Sequence, residues 1–309
     1  MKRAALIAAI FAIASWASAQ TQYPPSQTPP SGGQPPQGAQ TGGQGAAGGQ
    51  AAPGAEPAPP AGKRPPQAKT QPEFDAYKAA VASTDPAALE KAADDFATKF
   101  PDSELRILLY KSTQRAYQNA NNPDKTEAMG RKVLALDPDD PEALVMVAEV
   151  IAEKTHDSDL DKEQRYDEAT KMAQKAAQTV DTDVSVPAGT PQDKIDAYKS
   201  LLRSNAYSII GTIEFKKDNF TGAQADLQKS IDAFPSQPDP VVVLRLALSL
   251  DRQQKYPEAL KVANRAVDMT QESSQIGTLA RRERDRLQQL TGGTAPAPAT
   301  QPQGKPPQN

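Results

Sequence analysis

The sequence has no cysteine, one histidine (His156) and one tryptophan (Trp16) in 309 residues. Without thiols there is no disulfide framework, no thiolate metal site, no cysteine nucleophile and no cysteine to carry a lipid. A single imidazole leaves little room for histidine-based acid–base chemistry. Glycine-rich phosphate loops, a Ser-His-Asp order and zinc-ligand spacing are also missing, so no cofactor and no catalytic function is expected. A strong basic balance is lacking too. Residues 73–290 carry 37 acids against 29 bases, a net charge of −8 that would repel nucleic-acid phosphates.

Proline and glycine are abundant but unevenly placed. Residues 20–72 hold 13 Pro, 10 Gly and 10 Gln, and residues 291–309 hold 5 Pro and 3 Gly. With almost no apolar side chains to bury, neither segment can offset the entropy of ordering. Both are expected to be disordered tails, the first acting as a spacer. Before them, Lys2 and Arg3 precede an uncharged stretch, Ala4–Ala17, that ends in Ala17-Ser18-Ala19. This order predicts a signal peptide over 1–19, cleaved after Ala19, and hence export to a periplasm or the exterior. The apolar body is short for a membrane anchor, which needs about 20 residues, so membrane contact is expected only through the signal.

Between the tails, apolar residues recur three and four apart, and proline falls mainly between the periodic segments, so residues 73–290 read as all-α. One template recurs within them. Tyr166, Phe220 and Tyr256 are each followed three residues later by Ala169, Ala223 and Ala259, and seven residues on by Ala176, Ser230 and Ala266. Gly211 and Ala247 lie twelve before their alanines; Ala148 lies twenty-one before Ala169, which adds a nine-residue insertion. Small side chains at matched positions are what two antiparallel helices need where their axes approach to about 8–10 Å. His156 falls in the polar insertion Thr155–Asp161, whose acids lack the spacing and glycine of a calcium loop, so no metal site is expected there.

The pattern Tyr207, Ile210, Gly211, Phe220, Ala223, Leu227, Ser230, Pro235 resembles the signature of the tetratricopeptide repeat, a helix–turn–helix unit of 34 residues. The resemblance implies a right-handed superhelical solenoid of antiparallel helix pairs. Its parts would be an N-terminal hairpin (73–102), repeats at about 107–140, 141–181, 204–237 and 240–271, and a capping helix (273–290). The repeat at 107–140 departs from the signature, with Gln114 and Thr126 where small residues belong.

It further implies that the first helix of each pair lines a concave wall. The expected wall residues are Lys111, Arg115, Gln118 and Asn119; Val145, Met146, Glu149 and Glu153; Ser208, Ile209, Thr212 and Lys216; and Leu244, Arg245, Leu248 and Arg252. Such a wall suits a peptide or helical segment of another protein. The function this implies is a scaffold or adaptor of the cell envelope. The alternative is a structural spacer whose Pro/Gln-rich tails contact envelope polymers.

Overall fold

The computed structural model describes residues 63–187 and 189–292; the expected signal peptide, most of the linker and the tail from residue 293 lie outside the described residues. Among the described residues there are eleven α-helices and no strand. In chain order they are α1 (Gln71–Val81), α2 (Pro86–Lys99), α3 (Leu105–Asn119), α4 (Pro123–Leu136), α5 (Pro141–Lys154), α6 (Lys162–Thr179), α7 (Gln192–Lys216), α8 (Phe220–Ala233), α9 (Pro240–Arg252), α10 (Tyr256–Asp268) and α11 (Gln275–Leu290). Each odd-numbered helix up to α9 packs on the next to form a pair, each second helix packs on the first helix of the following pair, and α11 closes the stack against α9 and α10.

Helix starts are written into the chain. Thr70, Asp85, Asn122, Asp140, Asn219, Asp239 and Ser274 each accept a backbone N–H of the first turn through the side chain. Pro86, Pro123, Pro141 and Pro240 occupy the first helical position, where the missing N–H costs nothing.

The turns inside the pairs share a device that the sequence reading did not anticipate. Asn121, Asp218 and Gln254 all have positive φ, at 54°, 57° and 60°. Each is followed by a residue whose N–H returns to a carbonyl five positions back: Asn122 to Tyr117, Asn219 to Glu214 and Lys255 to Leu250, at 2.9–3.0 Å. These are Schellman closures of the first helix. Measured from the repeat starts at 107, 204 and 240, all three fall at the same position, which fixes the register independently of the small residues. In the α5–α6 pair the insertion around His156 replaces this turn, and the α1–α2 turn has no residue at positive φ.

The small residues sit where the crossing demands them. Ala148, Ala169, Ala223, Ala247, Ala259 and Ala266 have no exposed surface, and Ser230 is buried with its hydroxyl donating to the Ser204 carbonyl at 2.7 Å. In the α3–α4 pair the accommodation differs. Gln114 and Thr126 are buried, Thr126 turning its hydroxyl back to the Asn122 carbonyl at 2.8 Å. The small residue shifts one turn along α4 to Gly130, where a Cβ would run into the Gln114 amide and the Val147 methyl.

Two boundaries differ from the sequence reading. The repeat expected at 204 is entered by a helix that starts at Gln192, making α7 25 residues long against 13–15 for α3, α5 and α9. The linker expected over 20–72 gives way earlier, since residues 63–70 run along the turns that follow α2, α4 and α6. Lys63 pairs with Asp137 at 2.6 Å and lies 3.8 Å from Asp183; Arg64 grips Glu104 with bonds of 2.8 and 2.9 Å; Lys69 Nζ donates to the Asp102 carbonyl at 2.8 Å. Glu73 anchors the inner end of this strap. Its buried carboxylate accepts the Lys69 N–H at 2.7 Å and the Ser103 hydroxyl.

Candidate functional site: the wall of first helices

Side chains that face along α3, α5, α7 and α9 divide into a closed half and an open half. In the closed half, Lys111 and Arg115 of α3 meet the start of α5. Lys111 Nζ donates to Asp140 at 2.7 Å and lies 3.0 Å from Glu142, while Arg115 holds Glu142 through two nitrogens, one bond being 2.6 Å. Glu142 is 2% exposed and Lys111 8%. Burial alone would raise the Glu142 pKa, but Arg115 and Lys111 overcome it and hold the carboxyl far below the usual carboxylate range. Burial would likewise discharge Lys111, and Asp140 and Glu142 more than offset it. Two cations and two anions thus cancel in a pocket from which water is nearly excluded.

The early start of α7 closes this half. It brings Tyr198 to the cluster, where burial and the adjacent Glu142 carboxylate push the phenol well above its ordinary value. Val180, Val184, Tyr198 and Leu202 then form an apolar cluster of their own. Lys111 and Arg115 were expected on a partner-binding wall. The structure places them in an internal ion cluster with Asp140 and Glu142, beside Tyr198 of α7, instead.

Four apolar positions expected on the wall are also corrected. Val145, Met146, Ile209 and Leu244 are buried. Val145 and Ile209 share one core cluster and Leu244 belongs to the next, so their side chains are consumed by packing between pairs. A helix has room for only a narrow exposed stripe once it packs on three neighbours, and these residues sit at its flanks.

What remains accessible lies mainly in the other half. Ser208, Thr212 and Lys216 follow one another at four-residue spacing along α7, and Arg245, Leu248 and Arg252 run along α9. Two contacts show that these rows face one surface. Arg245 donates to the Thr212 hydroxyl at 2.7 Å, linking α9 to α7, and Lys216 Nζ donates to the Ala152 and Thr155 carbonyls at 2.7 and 3.3 Å, linking α7 to the end of α5. Ser208, Thr212, Arg245 and Leu248 are half-buried, while Glu153, Lys216 and Arg252 are exposed and Glu149 is half-buried. Arg252 stacks its guanidinium over the Phe220 ring, 5.4 Å from the centroid. Gln118 and Asn119, half-buried and exposed at the end of α3, stand apart from this surface.

Burial lowers the Arg245 pKa, with Asp239 opposing it weakly, and lowers that of Lys216, where Arg245 adds repulsion. Asp157 and Glu153 act on Lys216 in the opposite direction, as Asp239 does on Arg245. No group of three His, Cys, Asp or Glu side chains among the described residues is arranged to hold a metal ion. His156 is exposed, and its backbone N–H donates to Asp159 at 2.9 Å. No helix of the described residues is long and apolar enough to cross a membrane.

No protein-family model matches the sequence, and no curated protein was found to match it. Among solved structures, the chain is similar to TTC0263, a thermophilic TPR protein of Thermus thermophilus, at 12% identity and a TM-score of 0.43, over 68% of this chain and 98% of that one. It is similar also to pilF of Pseudomonas aeruginosa, at 17% identity and a TM-score of 0.46, over 72% and 96%. The tetratricopeptide-type pairing described above stands on this chain's own register of small residues and left-handed turns.

Proposed function

We propose that the protein is a non-catalytic scaffold that holds a peptide or helical segment of a partner protein against the open half of its wall, in an exported, cell-envelope setting. The observation that carries this reading is the line of side chains from α5, α7 and α9 that the Arg245–Thr212 and Lys216–Ala152 contacts bring onto one surface. Packing between the pairs consumes the flanks of the first helices and leaves this stripe accessible. It mixes a half-buried leucine, hydroxyls and charges of both signs on a rigid frame, the combination that reads an extended segment through side-chain contacts. The absence of thiols and the isolation of the one histidine speak against catalysis, and the acidic balance speaks against nucleic acid. The signal-like residues 1–19, with 20–62 as a spacer, support action in the envelope.

A photo-crosslinking side chain placed at Ser208 or Leu248, in the full chain in its own cells, is expected to capture partner chains. The same group at the exposed outer positions Gln228 or Lys261 is expected to capture none. Equal yields at both sets of positions would remove the wall from the function. Terminal sequencing of the exported protein is expected to begin at Gln20; an intact Met1 would remove the exported setting.

A further inference from the structure

The strap is a bound segment whose contacts can be read one by one. Arg64 holds Glu104 with bonds of 2.8 and 2.9 Å, and three residues on, the Gln67 N–H donates to the same carboxylate at 3.1 Å. Between them Pro65 and Pro66 are half-buried, and Ala68 packs on the N-terminal core. A diproline is extended before it docks, so little conformational freedom is lost on binding. Glu104 is thus a seat for a base, two prolines and a glutamine in that order. The order recurs once in the chain. Lys305-Pro306-Pro307-Gln308 repeats Arg64-Pro65-Pro66-Gln67 in register, and Lys305 is the single charged residue of 293–309. A third stretch, Gln34-Pro35-Pro36-Gln37, keeps the prolines and the glutamine but lacks the base.

The strap's grip on this seat is of a kind that exchanges. Arg64 and Glu104 are both exposed, and exposed pairs are weak. The firm anchor, Glu73, lies beyond the seat, so residues 63–67 can lift without disturbing it. The position of α11 decides which copy supplies the second segment. Arg286 near the end of α11 pairs with Asp251 at the end of α9, and Gln253 just after α9 donates to the Phe220 carbonyl at the start of α8. The end of α11 therefore lies on the edge of the turns inside the pairs, opposite the edge along which the strap runs. To reach Glu104, the chain's own tail would cross one helix length, about 24 Å for the 16 residues of α11. It would also return past four layers of first helices, each about 8–10 Å thick. The stretch from Gly292 to Lys305 reaches about 45 Å at most, so the chain's own tail arrives only at full extension. The tail of another copy meets no such limit.

We infer that the Glu104 seat is an interface between copies of this chain, in which residues 305–308 of a second copy dock in place of residues 64–67. Lys305 takes the position of Arg64 on the Glu104 carboxylate, and the Gln308 N–H that of Gln67. A lysine cannot form the paired bonds of the Arg64 fork, and the strap is tethered to its seat, so the resident segment limits the exchange. The seat lies on the edge of the turns between pairs and uses no wall residue, so this inference stands or falls independently of the scaffold reading.

The absence of cysteine permits a direct test. The full chain carrying Asp102→Cys, beside the seat, is mixed under mild oxidation with the full chain carrying Asn309→Cys, next to Gln308, and disulfide-linked pairs are measured by non-reducing electrophoresis. The yield is expected to exceed that given by Glu258→Cys, exposed at the start of α10 on the opposite edge. Lys305→Gln in the second chain gives that segment the sequence of residues 33–37 and is expected to return the yield to the Glu258→Cys level, as is Glu104→Gln in the first chain. Lys63→Gln with Arg64→Gln in the first chain, which frees the seat, is expected to raise the yield by roughly 2- to 30-fold, the ratio that two exposed ion pairs are worth. Should that variant lose its helical circular dichroism, Lys305→Gln decides alone, since it alters none of the described helices. A yield unmoved by Lys305→Gln, or a helical strap variant that links no better than the wild type, would overturn the inference. So would a chain carrying both cysteines that closes on itself as a disulfide-bonded monomer by intact mass, because its tail would then serve its own seat.

Discussion

Gly211 of α7 faces Leu227 of α8 so closely that a Cβ on the glycine would stand 2.9 Å from the Leu227 backbone nitrogen and 2.7 Å from its Cγ. Backbone cannot yield as a flexible side-chain end can, so the approach of this pair is set by the missing methyl. Gly211→Ala is expected to cost about 1–3 kcal/mol by overpacking, and Gly211→Leu more. Thermal midpoint and far-UV helicity of both variants check this, and an unchanged midpoint for Gly211→Leu would show that the two helices do not cross there.

The left-handed turn residues make a prediction of opposite sign. A non-glycine side chain pays roughly 1–2 kcal/mol to sit at positive φ, less for Asn or Asp, whose short side chains bond locally. Gln254 has no such relief. Gln254→Gly is therefore expected to raise stability by about 1 kcal/mol after the added freedom of the unfolded chain is subtracted. Asn121→Gly is expected to change it little. Urea midpoints of the two variants measured side by side provide the comparison.

Much of this fold is legible in the sequence because close helix approach tolerates few residue types. Gly211, Ala223, Ala247 and Ala259 announce the crossings wherever they recur. The early start of α7 follows a different signal. Ile195, Tyr198, Leu201 and Leu202 carry helical spacing, but they precede the repeat and fit no position of its template. The ion cluster was illegible for a physical reason. Lys111 and Arg115 look like wall residues on an isolated helix, and only tertiary packing brings Glu142, some thirty positions away, beneath them. The strap had a faint signature, since the bases of the long linker gather at Lys63, Arg64 and Lys69 while acids mark the turns at Asp102, Glu104, Asp137 and Asp183.

That strap separates exposed from buried electrostatics. Lys63 and Arg64 are exposed, and each such pair contributes about 0.2–1 kcal/mol. Lys63→Gln with Arg64→Gln is expected to lower stability modestly, with the loss fading at about 1 M salt, where the screening length is roughly 3 Å. Glu73→Ala strands the Ser103 hydroxyl and the Lys69 N–H in a buried joint and is expected to cost about 1–3 kcal/mol, largely independent of salt. Denaturation at low and high salt distinguishes the two; a salt-sensitive Glu73→Ala would place that carboxylate at the surface.

The buried cluster governs the acid limit of the fold. An unfolded glutamate titrates near about 4.3. In the fold, Glu142 feels burial, which would raise its pKa, but Arg115 and Lys111 prevail and hold it far lower. The folded pKa lies below the unfolded one, so in the interval between them the unfolded chain binds more protons. The stability this group contributes is therefore complete above about pH 5 and drains away as pH falls toward the folded pKa. Glu142→Gln leaves two buried cations facing Asp140 alone and is expected to cost about 3–5 kcal/mol near neutrality. Its deficit should shrink between about pH 5 and pH 3, because the wild type loses over that range what the variant never had. The exposed Glu258→Gln serves as the control and should track the wild type throughout. Urea denaturation of the three proteins across this range checks the argument. Parallel curves for the wild type and Glu142→Gln would mean that no charged glutamate stands between Lys111 and Arg115.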